Sequence, residues 1–196
     1  WAVNLYNFMD GSDALAGLMT LIGFGALALA APQDSLSLTA ACIAGAALGF
    51  LAHNRPPARV FLGDLGSTAL GFLAAAIAFE GMVAGHWPFW FPGIVFMPFW
   101  LDATLTLLRR ALAGKRLSEA HRDHAYQRLA LAGAGHVGTA FAYGLLMLAD
   151  AAAALWLLGR ADAAFPIYEI AGIIMLHLLA YFVVQARPIP PAASSR

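Results

Sequence analysis

The chain has 196 residues, 61% of them hydrophobic and 11% charged, with a mean hydropathy of +0.73. Ordinary soluble domains carry about 25% charged residues, so this is the composition of a membrane protein. The formal net charge is zero, which removes the basic excess expected of a nucleic-acid partner, and the single Cys42 cannot form an internal disulfide.

The first element is polar. NLYNFMDGSDALAG, residues 4–17, places Asn4, Asn7, Asp10 and Asp13 at successive steps of three, which lie on adjoining parts of a helix face until Asp10-Gly11 interrupts the helix and Asp13 starts the next. An N-cap role for Asp13 accounts for one of the four. Two amides and two carboxylates at a helix break, with no cation near in sequence, suit a divalent metal or the hydroxyls and amides of a polar ligand. No positively charged leader precedes the first apolar run, and the expectation is the carboxy-terminal part of a longer protein.

Apolar runs follow at roughly 14–31, 36–52, 66–85, 88–108, 136–158 and 166–186. A bilayer core of about 30 Å needs roughly 20 apolar helical residues, with about 17 as the practical minimum. The separators PQDS, GHWP and GRADAAFP are turn-rich, and backbone in lipid must satisfy its own hydrogen bonds. The expected fold is therefore all-α, a polytopic transmembrane helical bundle of about six spans forming one integral membrane domain over 1–196.

The connections carry the chemistry. In the second, FLGDLGSTALG sets Asp64 between glycines at a helix start, where an anion is favoured and where an N-cap is the plainer alternative. Within the fourth run, Asp102 of PFWLDATLTLLRR lies in the inner third of its helix, directed to the same face as the loops. The fourth connection, 109–135, is a basic loop with His121, Arg122, His124 and Arg128 in LSEAHRDHAYQRL. Imidazoles beside arginines suit phosphate oxygens better than a metal, with a solvated charged loop as the alternative. Glu80, Asp150 and Glu169 fall toward the outer ends of their helices, where a carboxylate reaches interfacial water or pairs locally. Arg55 and Arg59 lie in the second connection and six basic residues in the fourth, whereas the other three hold only Arg160. The positive-inside rule puts the second and fourth connections, the first residues and the Arg187 tail in the cytoplasm.

These motifs resemble a known family. NLYNFMDGSDALAG is similar to the NxxNxxDGxDGLAG signature of the polyprenyl-phosphate N-acetylhexosamine-1-phosphate transferases, within glycosyltransferase family 4. FLGDLGSTALG resembles their FxGDxGSxxLG loop, and EAHRDHAYQRL their histidine-rich loop, in the same order. The resemblance implies an enzyme of a bacterial inner membrane that joins a UDP-activated amino sugar phosphate to polyprenyl (undecaprenyl) phosphate and releases UMP. It implies magnesium, with manganese as the substitute, held by Asp64 and Asn7. Asp10 and Asp13 would complete the catalytic site with His121, Arg122 and His124 at the diphosphate or sugar, and Asn4, Asn7, Asp102 and Arg128 would bind substrate.

Three residues depart from the pattern: Ser12 and Ala14 in the first signature, and Asp123, which stands where relatives with a histidine run have another histidine. HRDHAYQRL looks closer to the branch that initiates O-antigen or exopolysaccharide chains than to the peptidoglycan branch. The family's aspartate-rich cytoplasmic motif is not found in 1–196, so this polypeptide alone is expected to be inactive. A homodimer is compatible with the sequence. The competing reading is a transporter or a lipid-phosphate-binding homologue without chemistry. A transporter needs a polar path through the spans, whereas the acids here divide between the two ends.

Overall fold

The structure is a computed structural model that describes residues 1–116, 119, 121–160 and 165–189. Parts of the LSEA and GRADAAFP stretches lie outside the described residues. Regular structure among the described residues is helical throughout: α1 (Ala2–Met9), α2 (Leu15–Ala30), α3 (Ser35–Asn54), α4 (Gly63–Val83), α5 (Trp90–Val95), α6 (Met97–Leu112), α7 (Ala125–Leu129), α8 (Gly135–Leu158) and α9 (Ile167–Ala186), with a π-helical turn, Ala130–Ala134, between α7 and α8. The protein is an integral membrane helical bundle, as its composition requires. Four helical stretches are long and apolar enough to cross a membrane: α3, α4, the run Ala125–Leu158 and α9; α2 is shorter.

Local chemistry explains the boundaries. The first helix ends at Met9 and the second begins at Leu15, so the break falls on Asp10-Gly11 as expected. Asp34 caps α3 by accepting from the Ser37 amide at 2.9 Å, and Arg55 followed by two prolines ends it. The run 88–108, expected as one span, is instead two helices that meet at Phe96. Pro98 has no N–H to donate to the preceding turn, so the ladder cannot continue through it. Across the break, Trp100 Nε1 donates a hydrogen bond to the Gly93 carbonyl of α5 at 2.6 Å. Within the expected basic loop 109–135, α6 continues through Leu112 and α7 occupies Ala125–Leu129.

The core lies where α2 packs on α3 and α8, and where α1 packs on α4 and α6. Phe24, Met19 and Leu27 from α2 meet Phe91, Ile94, Phe99 and Met147 there, all fully buried. Tyr6 of α1 stands edge-on to Phe99, with ring centroids 5.2 Å apart. Large apolar side chains such as Phe72, Phe79, Phe141, Trp156 and Phe182 remain exposed around the outside. So wide an apolar exterior is unfavourable in water and natural in hydrocarbon.

The connections segregate by parity. The second and fourth meet the α1–α2 turn in one cleft. At the other end, His86 of the third connection pairs with Asp34 of the first at 2.9 Å, and Phe89 stacks on Phe165. Glu169 pairs with Arg160 at 2.7 Å. Asp150 is fully buried rather than interfacial and pairs with His177 at 2.9 Å, tying α9 to α8.

Candidate functional site

The cleft at the α1–α2 turn has a volume of about 970 Å³. Its floor comes from the first signature, since Asn7, Asp10 and Asp13 all line it. Gly11 is required there, because a Cβ would strike the hydroxyl of Tyr126, which donates to the Phe8 carbonyl at 2.9 Å. Asp64 enters from the first turn of α4, directly after Gly63, whose φ of 67° is left-handed. Neither aspartate acts as a cap: α4 starts with no side-chain cap, and α2 is preceded by Ala14, not Asp13.

Asp10 and Asp64 both line the cleft and interact through their charges. Burial, followed by the charge of Asp64, pushes the Asp10 carboxyl up to about 6. Among the described residues the Asp64 carboxylate takes no hydrogen bond, and no three His, Cys, Asp or Glu side chains form a ready-made metal cage. A converging carboxylate pair without a full protein cage suits magnesium, which takes one or two protein carboxylates and completes its shell with water and substrate phosphate. The Asn7 amide oxygen is beside them, accepting from Ser67 Oγ at 3.3 Å.

His121 and His124 form the opposite side, stacked with ring centroids 5.0 Å apart. Burial, then the neighbouring His124, holds the His121 imidazole below its ordinary range, so at neutral pH it is an uncharged hydrogen-bonding group. The Nδ1 atoms of both rings are buried and without a hydrogen-bond partner. His124 is held by Asp102 beneath the cleft, at 3.6 Å from Nδ1 to Oδ1. The same carboxylate accepts from the amides of Ala125 (2.8 Å) and Tyr126 (3.1 Å) and from the Tyr143 hydroxyl (2.6 Å). Asp102 thus sits under the site, capping α7 from outside its own helix, and does not line the cleft.

The arginines are elsewhere. Arg109 donates to Gln185 Oε1 and the Asp123 carbonyl, Arg110 pairs with the Asp123 carboxylate, and Arg128 donates to the carbonyls of Gln185 and Arg187. Arg122 is exposed and, like Asn4, does not line the cleft. Asp123, which replaces a histidine of the family pattern, therefore spends its charge anchoring the basic connection to α6. No lysine or arginine lines the cleft among the described residues.

Sequence reasoning passed over two residues. Asn54, at the end of α3, accepts from the Ala14 amide at 2.9 Å and donates to the Val60 carbonyl at 2.8 Å, fastening the signature turn to the second connection. Asp13 adds to this by accepting from the Ala58 amide at 3.0 Å. Ala14 pays for that fastening with a φ of 65°, at the position where the family signature has glycine. His136 also lines the cleft and contacts Ser12 and Asp13. The glycines around His136 were its only sequence signal.

Residues 1–82 match the model of Glycosyl transferase family 4. A phospho-N-acetylmuramoyl-pentapeptide-transferase from Picosynechococcus sp. is 52% identical over 86 residues, which is 42% of this chain and 22% of the relative. The protein of the same name from Microcystis aeruginosa is 45% identical over 86 residues, 42% of this chain and 23% of the relative. That from Enterococcus hirae is 34% identical over 116 residues, 59% of this chain and 36% of the relative. The chain thus matches about a fifth of the first two and about a third of the last.

Proposed function

With residues 1–82 matching the model of Glycosyl transferase family 4, we propose that the chain contributes the site of a transferase that moves an N-acetylhexosamine-1-phosphate from a UDP-sugar to a polyprenyl phosphate. An oxygen of the lipid phosphate attacks the sugar-bearing phosphorus, the bond to the UMP phosphate breaks, and UMP leaves. The observation that carries the reading is the charge make-up of the cleft. It combines the Asp10–Asp64 pair with imidazoles and contains no lysine or arginine among its described lining residues. A diphosphate would be repelled by such a cleft unless a cation accompanied it.

Asp64, Asp10 and Asn7 would hold magnesium, with manganese as the substitute. When bound, the ion neutralises the diphosphate and the charge that develops in phosphoryl transfer. His121 and His124 supply N–H donors to phosphate oxygens, and Asp102 keeps the His124 ring in place. The active face is cytoplasmic in the inner membrane, in keeping with its basic connections.

The donor is a plain N-acetylhexosamine of an O-antigen or related envelope glycan. That choice rests on the His121–Leu129 loop, which lies beyond the family match, whereas the relatives carry N-acetylmuramoyl-pentapeptide in their names. The test is transfer of radiolabelled sugar phosphate to polyprenyl phosphate by the complete protein in membranes, over a magnesium titration. UDP-N-acetylglucosamine and UDP-N-acetylmuramoyl-pentapeptide are offered in competition. Asp64→Asn keeps the shape and loses the charge, and transfer should fall by about two orders of magnitude or more while the protein still inserts. A wild-type rate and an unchanged magnesium midpoint in the variant would remove Asp64 from the site, and preference for the pentapeptide donor would overturn the glycan assignment.

A further inference from the structure

The cleft holds a third imidazole that the histidine-rich loop does not account for. His136 is the second residue of α8, and the chain reaches it through the π-helical turn and two glycines of positive φ, Gly133 (108°) and Gly135 (62°). Nothing lies within 4 Å of where either Cβ would be, so the glycines serve the backbone path and not a close contact. Single π turns recur at functional positions because they re-aim the residues that follow. Here the path carries His136 across to the first signature.

The ring is anchored on one side only. Nδ1 accepts the backbone N–H of Asp13 at 3.1 Å, with Ser12 Oγ at 3.3 Å and Asp13 Oδ1 at 3.4 Å. A ring nitrogen that accepts an amide hydrogen carries no proton, so the proton of the neutral imidazole is on Nε2. The side chain remains 53% exposed within the cleft. Anchoring alone does not explain the ring, because Asn54 and Ala58 already fasten the same turn. The apolar run of α8 begins at Val137, which leaves His136 at its water-facing end. A ligand that meets it there arrives from the aqueous side and not along the lipid-facing helices.

Resting on the transferase reading above, we infer that His136 binds the donor substrate: its Nε2–H donates a hydrogen bond to an oxygen of the nucleotide sugar, while Nδ1 aligns the ring on Asp13. The accepting oxygen belongs either to the sugar or to the nucleotide, and the chemistry is the same. Two substitutions separate the two ring nitrogens. His136→Asn places its amide where Nδ1 is and so retains the anchor, but it has no group at Nε2. His136→Gln reaches the Nε2 position and so retains the donor.

The experiment measures transfer by the complete protein with UDP-N-acetylglucosamine as the probe, with thermal midpoints to establish that both variants fold. His136→Asn should raise KM for the UDP-sugar about ten-fold with kcat within about two-fold, and KM for polyprenyl phosphate should not move. His136→Gln should stay within about two-fold of wild type in both constants. Inhibition by UMP, weakened in the Asn variant, assigns the oxygen to the nucleotide; inhibition unchanged assigns it to the sugar. The reverse pattern, or equal effects in both variants, overturns the proposal and leaves His136 as a tie between α8 and the signature turn. If wild type transfers nothing, the transferase reading fails instead, and calorimetric binding of UDP-N-acetylglucosamine to the same two variants decides His136.

Discussion

Asp10 and Asp64 show how one residue can be unfavourable for folding and useful to the site. The folded Asp10 carboxyl titrates near 6, above its ordinary 3.8, because of burial and then the Asp64 charge. Its ionised form is therefore disfavoured in the folded state. The resulting penalty is present above pH 6 and disappears as pH falls from 6 toward 4. Asp10→Asn in chelator should thus raise the thermal midpoint at pH 7.5 and raise it by only about half as much at pH 5; equal midpoint changes at the two pH values would contradict the coupling. At the histidines, position distinguishes neighbours in sequence. His124 is buried in the cleft and Arg122 is exposed outside its lining. Alanine at 124 should cost about 2 to 4 kcal/mol of transition-state stabilisation, as for one preorganised donor, and alanine at 122 well under 1 kcal/mol. Transfer kinetics of the two variants check this, and a larger loss at 122 would return the phosphate contact to the arginine.

Helix ends carry the site because they leave backbone groups free and turn the chain. The amides that open α7 are satisfied by Asp102 from α6, which also takes the Tyr143 hydroxyl of α8. One carboxylate therefore joins three elements beneath His124. Asp102→Ala would leave two buried amides and a phenol without an acceptor, each costing about 1–3 kcal/mol. A loss of about 3 kcal/mol or more is expected in thermal or denaturant unfolding, together with faster amide exchange at Ala125 and Tyr126. His124→Ala leaves that carboxylate in place, so exchange at Ala125 and Tyr126 should rise far less, and matching exchange in the two variants would argue against the capping role of Asp102. The split of α5 from α6 belongs to the same scale: Pro98 breaks the ladder, and the Trp100 indole ties α6 back to the Gly93 carbonyl of α5.

At the scale of the molecule, alternate connections gather at opposite ends of the bundle. Asp34–His86 and Arg160–Glu169 mark one end, and the cleft marks the other. The positive-inside rule predicts that Lys115 faces the cytoplasm and Arg160 the exterior. Cys42 is exposed and must first be replaced by alanine. In intact cells an impermeant thiol reagent should then label Arg160→Cys and spare Lys115→Cys. Labelling at 115 with protection at 160 would invert the sidedness and place the cleft outside.

Membrane character, helical class and the grouping of the signature, Asp64 and the histidine loop on one face were legible in the sequence, because hydropathy, span parity and basic-residue bias act over whole segments and need no knowledge of packing. The helix break at Asp10-Gly11 was legible for the same reason, being a local preference. What a side chain does within that face was not. A capping role stayed open for Asp64 and Asp13, and a substrate-binding one for Asp102, until the helices were packed. Arg122 and Arg128 looked like phosphate contacts in one dimension, yet Arg128 bonds to the carbonyls of Gln185 and Arg187 and Arg122 lies outside the cleft lining. His136 is more than 120 residues from the turn it touches. Hydrogen-bond partners are set by distances of about 3 Å between groups remote in sequence, and only the tertiary arrangement of the helices brings such groups together.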